Sequence, residues 1–234
     1  MISEVSLIRC NQPKVGCRKL QKMLESREVI IGRDRLFSML REKNMLVIKK
    51  KKYVRTTQSY HRFRTYKNLI KNKPSQKPDE IFMSDITYID TLEGYSYLSL
   101  ITDQYSRKIV GYSLSKSLSV EGSLKALKMA LRQVSESSRL IHHSDRGIQY
   151  CSKMYTDLLK HKSVRISMTE ENHVYENALA ERVNGILKDE FMLGEKLQSH
   201  KVAKKMVKEA INTYNKERLH LALDYMTPEQ KYAA

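Results

Sequence analysis

Ile81-Phe-Met-Ser-Asp-Ile-Thr-Tyr-Ile89 sets one carboxylate inside a run of apolar, aromatic and β-branched residues. That composition predicts a strand over Ile81–Asp90. A carboxylate in the middle of a central strand is costly unless it is paired or binds a metal. On an edge strand Asp85 would simply face water. Working outward, Leu92-Glu-Gly-Tyr95 predicts a turn into a second strand, Tyr95–Thr102, and Lys108–Leu114 reads as a third. Val120–Val134 places Leu124, Leu127, Ala130, Leu131 and Val134 at helical spacing. A short strand at Leu140–His143, a helix at Lys153–His161, a strand at Val164–Met168 and helices at Asn177–Phe191 and Val202–Tyr214 complete the pattern. Three strands in a meander followed by alternating helix and strand predict an α/β fold, a mixed sheet with flanking helices.

The charge divides the chain before any element is considered. Residues 1–78 hold 21 Lys/Arg against 5 Asp/Glu, whereas residues 79–234 hold 22 against 21, so nearly all of the net +17 lies in the first third. Such asymmetry points to a polyanion, most often nucleic acid. With 41% hydrophobic residues the chain can build a core and is not a disordered tail. No apolar run approaches the roughly 18 residues of a membrane span, and the opening MISEVSLIRC lacks the pattern of a secretory signal. Three Cys without a C-x-x-C pair argue against a disulfide framework or a zinc ribbon, and for a cytoplasmic protein. Lys71-Asn-Lys-Pro-Ser-Gln-Lys-Pro78 contains no apolar residue and reads as exposed linker. The expected division is a basic DNA-binding region at 1–70, a linker at 71–79 and a larger unit at 80–234.

Within the basic region, Cys17, Leu20, Met23 and Leu24 predict one short helix, and Leu36, Phe37, Met39 and Leu40 predict a second over Gly32–Lys43. Arg33 and Arg35 open that second helix. A helix–turn–helix reads base edges with the N-terminal residues of its second helix, and Arg is well suited to guanine there. Met45–Ile48 followed by Lys49–Arg55 reads as a β-wing with a basic tip. Lys49, Lys50, Lys51, Lys52 and Arg55 are the candidate phosphate contacts.

Chemistry in the larger unit must come from placed acids. Asp85 is one. Asp145, in His142-His-Ser-Asp-Arg-Gly147, directly follows a predicted strand, where ligands of open α/β sheets gather. Glu181 lies on the helix from Asn177, in a polar stripe with Asn177 and Lys188. Each acid alone has an ordinary reading, as edge residue, turn or solvated helix face. Converging at one sheet end, the three could hold hard divalent ions. Between Asp145 and Glu181 lie 35 residues. His142 and His143 flank the second acid, where they could touch DNA, position a carboxylate or simply end a strand.

Several stretches occur together and in order: Ser84-Asp-Ile-Thr-Tyr-Ile89, Asp103-Gln-Tyr-Ser-Arg-Lys-Ile-Val-Gly111, His142-His-Ser-Asp-Arg-Gly-Ile-Gln-Tyr150, Tyr175-Glu-Asn-Ala-Leu-Ala-Glu181, Leu187-Lys188 and Tyr214-Asn-Lys-Glu-Arg218. The set resembles the D,D-35-E integrase and transposase superfamily. The resemblance is closer still to insertion-sequence transposases whose second reading frame encodes an integrase-like core. The resemblance covers about residues 80–230, and the basic segment before it also resembles that family's helix–turn–helix region. Two departures stand out. The Trp that usually precedes the first Asp is replaced by Phe82-Met-Ser, and the loop before Glu181 reads Glu171-Asn-His-Val-Tyr-Glu-Asn-Ala178, without the family's Gly and Pro.

The resemblance implies a ribonuclease-H-like mixed sheet with Asp85, Asp145 and Glu181 as catalytic metal ligands. It implies two Mg²⁺ or Mn²⁺ ions, and Lys188 against DNA. It further implies cleavage at transposon ends and transfer of a 3′-hydroxyl to target DNA by a bacterial, nucleoid-associated protein. The expected partners are the terminal inverted repeats, the target DNA, further copies of the chain on DNA and the product of the upstream reading frame, with no membrane. The alternative is a non-catalytic DNA-binding regulator or inactive partner of a fused transposase. A ribonuclease-H-type nuclease without joining activity would share the same acids.

Overall fold

The computed structural model describes residues 1–48, 64–71, 73–170 and 174–234. Three helices come first, α1 (Ile2–Asn11), α2 (Cys17–Glu25) and α3 (Arg33–Glu42). Val5, Ile8, Val15, Leu20, Leu24, Ile31, Leu36 and Leu40 form their shared core. The apolar positions foreseen for α2 and α3 supply half of it, and α1, which lacks a clean apolar stripe in sequence, supplies Val5 and Ile8. Seven residues separate α2 from α3, longer than the three or four of a tight helix–turn–helix. The expected wing is not formed at its described end. Met45–Ile48 is irregular, because Met45 is held on the helices instead: its N–H donates to Leu40 O at 2.7 Å and its carbonyl accepts from Arg9 at 2.6 Å. Lys49, Lys50, Lys51, Lys52 and Arg55 lie outside the described residues.

The larger unit runs β1 (Ile81–Thr91), β2 (Gly94–Asp103), β3 (Ile109–Ser115), α4 (Val120–Leu131), β4 (Ile141–Ser144), α5 (Ile148–Cys151), α6 (Lys153–His161), β5 (Arg165–Met168), α7 (Ala178–Glu190), α8 (His200–Lys216) and α9 (Pro228–Ala233). The sheet order is β3-β2-β1-β4-β5. β1 pairs antiparallel with β2 and parallel with β4, so the strand carrying Asp85 is the central one. The meander closes through Gly94, whose φ of 104° is open only to glycine at low strain. α9, absent from the sequence expectation, is fixed by Pro228 and by a capping box between Thr227 and Gln230.

Alternation along β1 sorts its side chains to two faces. Phe82 and Ile86 join Leu127, Tyr155 and Leu159 on the α4–α6 side. Ile81 and Met83 pack with Ala180, and Ile89 packs with Val183 and Leu187, on the α7 side. The residues before β1 are strapped to the sheet: Ser75 N–H donates to Gln104 at 2.8 Å and Asp79 N–H to Asp103 at 3.0 Å.

The two units touch. Lys19 of α2 reaches Glu190, the last residue of α7, at 2.7 Å, and Arg218 grips the same carboxylate at 2.8 and 2.9 Å. Gln12 donates to the Glu217 carbonyl beside them.

Candidate active site

The parallel register between β1 and β4 positions the first two acids. Ser84 lies opposite Ser144, so Asp85 and Asp145 each follow a paired serine on neighbouring strands. β4 ends there while β1 continues. Both acids fall in step with Met83 and His143 and therefore on the α7 side of the sheet. Asp145 is fixed locally, with Oδ1 accepting from Gly147 N–H at 2.9 Å. A Cβ on Gly147 would stand 3.0 Å from that oxygen, so glycine leaves the carboxylate its room.

α7 brings the third acid. Asn177, just before the helix, donates to the Ser84 carbonyl at 3.1 Å and pins the start of α7 to β1. Three residues after Glu181, Asn184 is buried and donates to Asp85 Oδ2 at 2.7 Å. Sequence reasoning missed Asn184. Its signal was a polar side chain inside the apolar stripe Ala180, Val183 and Leu187, one turn from the acid. Glu181 itself stands at the exposed rim of the helix.

The electrostatics bind the three into one field. Burial first, then the Asp145 charge, push the Asp85 carboxyl up to about 7, with Glu181 adding and the Asn184 hydrogen bond opposing. Burial and then Asp145 also raise Glu181. Mutually repelling carboxylates at a strand end are the donor set a hard divalent cation neutralises. As placed, no three His, Cys, Asp or Glu side chains among the described residues stand close enough to surround one ion.

The remaining candidates separate from this cluster. Lys188 is half-buried two turns beyond Glu181, about 10 Å along the helix. Arg33 and Arg35 are exposed at the start of α3, Arg33 paired with Asp34 at 2.8 Å. His142 and His143 are both buried, which favours the plain strand-end reading over contact with DNA. His142 lies on the opposite face of the sheet, its Nε2 between Ser84 Oγ at 2.7 Å and Tyr155 OH at 2.9 Å, and burial pushes it down to about 3. His143 bonds Ser167 Oγ at 2.9 Å. Asp103 is structural, accepting from Ser106 N–H, Ser106 Oγ and Asp79 N–H.

A five-stranded mixed sheet with flanking helices, with one acid inside the central strand and another just past the end of its parallel neighbour, defines a ribonuclease-H-like integrase core. Two Integrase core domain models match the chain, over residues 75–173 and 162–228. The insertion element IS600 31 kDa protein of Shigella sonnei is 34% identical over 215 residues, 91% of this chain and 79% of that protein. Transposase InsF for insertion sequence IS3A of Escherichia coli K12 is 36% identical over 154 residues, 65% of this chain and 54% of that protein. The chain belongs to the integrase-core superfamily that includes insertion-sequence transposases. Among solved structures, the magnesium complex of the HTLV-2 integrase catalytic core matches with a TM-score of 0.53 at 18% identity, over 68% of this chain and 98% of that one. A chain of the simian T-cell lymphotropic virus intasome in complex with PP2A regulatory subunit B56 gamma matches with a TM-score of 0.55 at 17% identity, over 94% of this chain and 71% of that one. At those identities the likeness is one of fold.

Proposed function

We propose that this protein is a DNA transposase that cleaves at the ends of its element and joins a 3′-hydroxyl to target DNA. The observation that supports the reading is the register Ser84–Ser144, after which Asp85 and Asp145 follow on neighbouring parallel strands, each within the electrostatic reach of the other and of Glu181. Asp85, Asp145 and Glu181 would hold Mg²⁺ or Mn²⁺, and their shared field supports that fit. Two such ions, when bound, supply the charge that activates an attacking oxygen and stabilises a leaving one. Asn184 orients Asp85 through its 2.7 Å bond and ties it to the helix of Glu181. Lys188 would meet DNA beside the acids.

Residues 1–70 form the DNA-holding region in this reading, with Arg33 and Arg35 presented at the exposed start of α3 and 71–79 joining it to the core at 80–234. The substrate is the terminal repeats and target DNA, held by more than one copy of the chain, with the upstream-frame product as a further partner. The bacterial insertion-sequence relatives support a cytoplasmic, nucleoid-associated setting, and among the described residues no helix is long and apolar enough to cross a membrane.

The test is joining of a pre-cut element end to target DNA with Mg²⁺ or Mn²⁺. Asp85→Asn, Asp145→Asn and Glu181→Gln should each abolish joining while DNA binding persists. Joining retained by any of the three overturns the assignment. Metal-independent binding without nicking by the parent protein would favour a regulator instead.

A further inference from the structure

The larger unit is nearly neutral as a whole, but its charge is sorted in space. Residues 79–234 hold 22 Lys/Arg and 21 Asp/Glu. α8 alone carries five Lys against one Glu, and α4 two Lys against one Glu, so the two helices bear +5 and the rest of 79–234 bears −4. Both pack against β3, the edge strand two places from β1. Between them runs a groove of about 310 Å³, with Lys125 and Met129 of α4 on one wall and Lys204 and Val207 of α8 on the other. Tyr112 and Leu114 of β3 form its floor.

Lys201, Lys204 and Lys208 recur at three- and four-residue spacing and so lie along one side of α8, all exposed. Lys205 pairs with Glu209 at 3.9 Å. Lys125, Lys128, Lys201, Lys204 and Lys208 have no carboxylate within 4.0 Å among the described residues. The positive field is felt nearby. His200, bonded to Ser96 Oγ, is held below its ordinary range by burial and then by the charges of Lys116 and Lys204.

We propose that this groove is a second DNA-binding surface, which takes the phosphate backbone of a duplex at a place distinct from the carboxylates. Lys125 and Lys204 face each other across the groove, with Lys128, Lys201 and Lys208 exposed on the same two helices, and these ammonium groups repel one another until a polyanion lies between them. Lysines are point charges that neutralise phosphates and read no sequence. A second copy of the chain is the poorer occupant, because a two-fold interface would set this lysine-bearing face, α4 and α8 together, against the same face of the partner. At about 4.8 Å per strand, the groove stands about 10 Å across the sheet from β1. A duplex there is therefore held beside the chemistry and not in it.

The experiment measures binding of the full chain to a duplex of arbitrary sequence, without divalent metal, across a salt series. The triple variant Lys125→Gln/Lys204→Gln/Lys208→Gln should bind at least ~10-fold more weakly, and its log–log salt slope should fall by about 2–3, since each phosphate contact contributes about 0.9. The charge-reversed Lys125→Glu/Lys204→Glu/Lys208→Glu variant should lose more. Far-ultraviolet dichroism and the thermal midpoint should match the parent, as the exposed groups make no native ion pair. An unchanged slope in both variants overturns the proposal. So does an unchanged slope accompanied by altered sedimentation, which would assign the face to a second copy of the chain.

Discussion

Asp85 shows most directly what a buried carboxyl group does to the protein that carries it. Its proton is held to about pH 7 in the folded chain, against 3.8 for an unperturbed Asp. Between those values the folded state binds more protons than the unfolded state, so stability falls as pH rises from about 4 to about 7 and levels off above that. The slope reaches at most about 1.4 kcal/mol per pH unit, lessened by the side chain's partial exposure. Asp85→Asn removes the ionisation. In urea titrations it should match the parent near pH 4 and exceed it at pH 8, and the same variant should be unable to join DNA. Asn184→Ala deletes the donor to Asp85 Oδ2, and carbon-detected titration of the Asp85 carboxyl should then report a pKa above the parent's. The acids were legible in sequence because each stands against its background: Asp85 among apolar residues, Asp145 at a strand exit. Asn184 was not legible, since an amide in a helix reads alike whether it faces solvent or a neighbouring strand. For His142 and His143 the sequence left contact with DNA open beside a strand-end role, because four strand residues do not reveal that both faces are covered by helices.

At the level of elements, β3 and α4 are pressed together at Gly111. A Cβ there would collide with the Ala126 carbonyl oxygen and approach the Ala130 Cβ to 2.9 Å. The obstruction is helix backbone, which cannot swing aside. Gly111→Ala should therefore push α4 outward and destabilise the fold by about 1–3 kcal/mol, read as a lower urea midpoint. Most strands and helices of the core were legible from periodicity, because β1 to β3 and α4 each bury one face or run through the centre. The strand expected at Met45–Ile48 does not form, because apolar residues there suit a strand in isolation, whereas Met45 and Leu46 pack against the three-helix cluster. Helix α1 escaped notice since Val5 and Ile8 alone do not make a stripe.

Across the whole molecule, the contact between the units rests on a buried triad. Lys19 and Arg218 keep only 9% and 7% of their side-chain surface exposed, with Glu190 between them at 22%. Burial raises the Glu190 carboxyl, but the bonds and charges of Arg218 and Lys19 outweigh it and hold it below its ordinary range. Its stabilising contribution is thus present at neutral pH and lost as pH falls below about 4.5 through the depressed value. Glu190→Gln leaves two buried cations facing a neutral group and should destabilise the docked arrangement by about 3 kcal/mol. Calorimetry should show the small basic unit melting ahead of the core. Such a long-range contact, joining residues 19, 190 and 218, leaves no trace in local sequence patterns.

Because the triad sits at the far end of the same helix that carries Glu181, the small unit and that acid are mounted on one rigid rod. From Glu181 to Glu190 α7 advances nine residues, about 14 Å at 1.5 Å per residue. Whatever the small unit grips is therefore held at a set distance from the acids, as on a gauge. The gap between grip and cut would be measured out by the length of a helix and not by the slack of a tether.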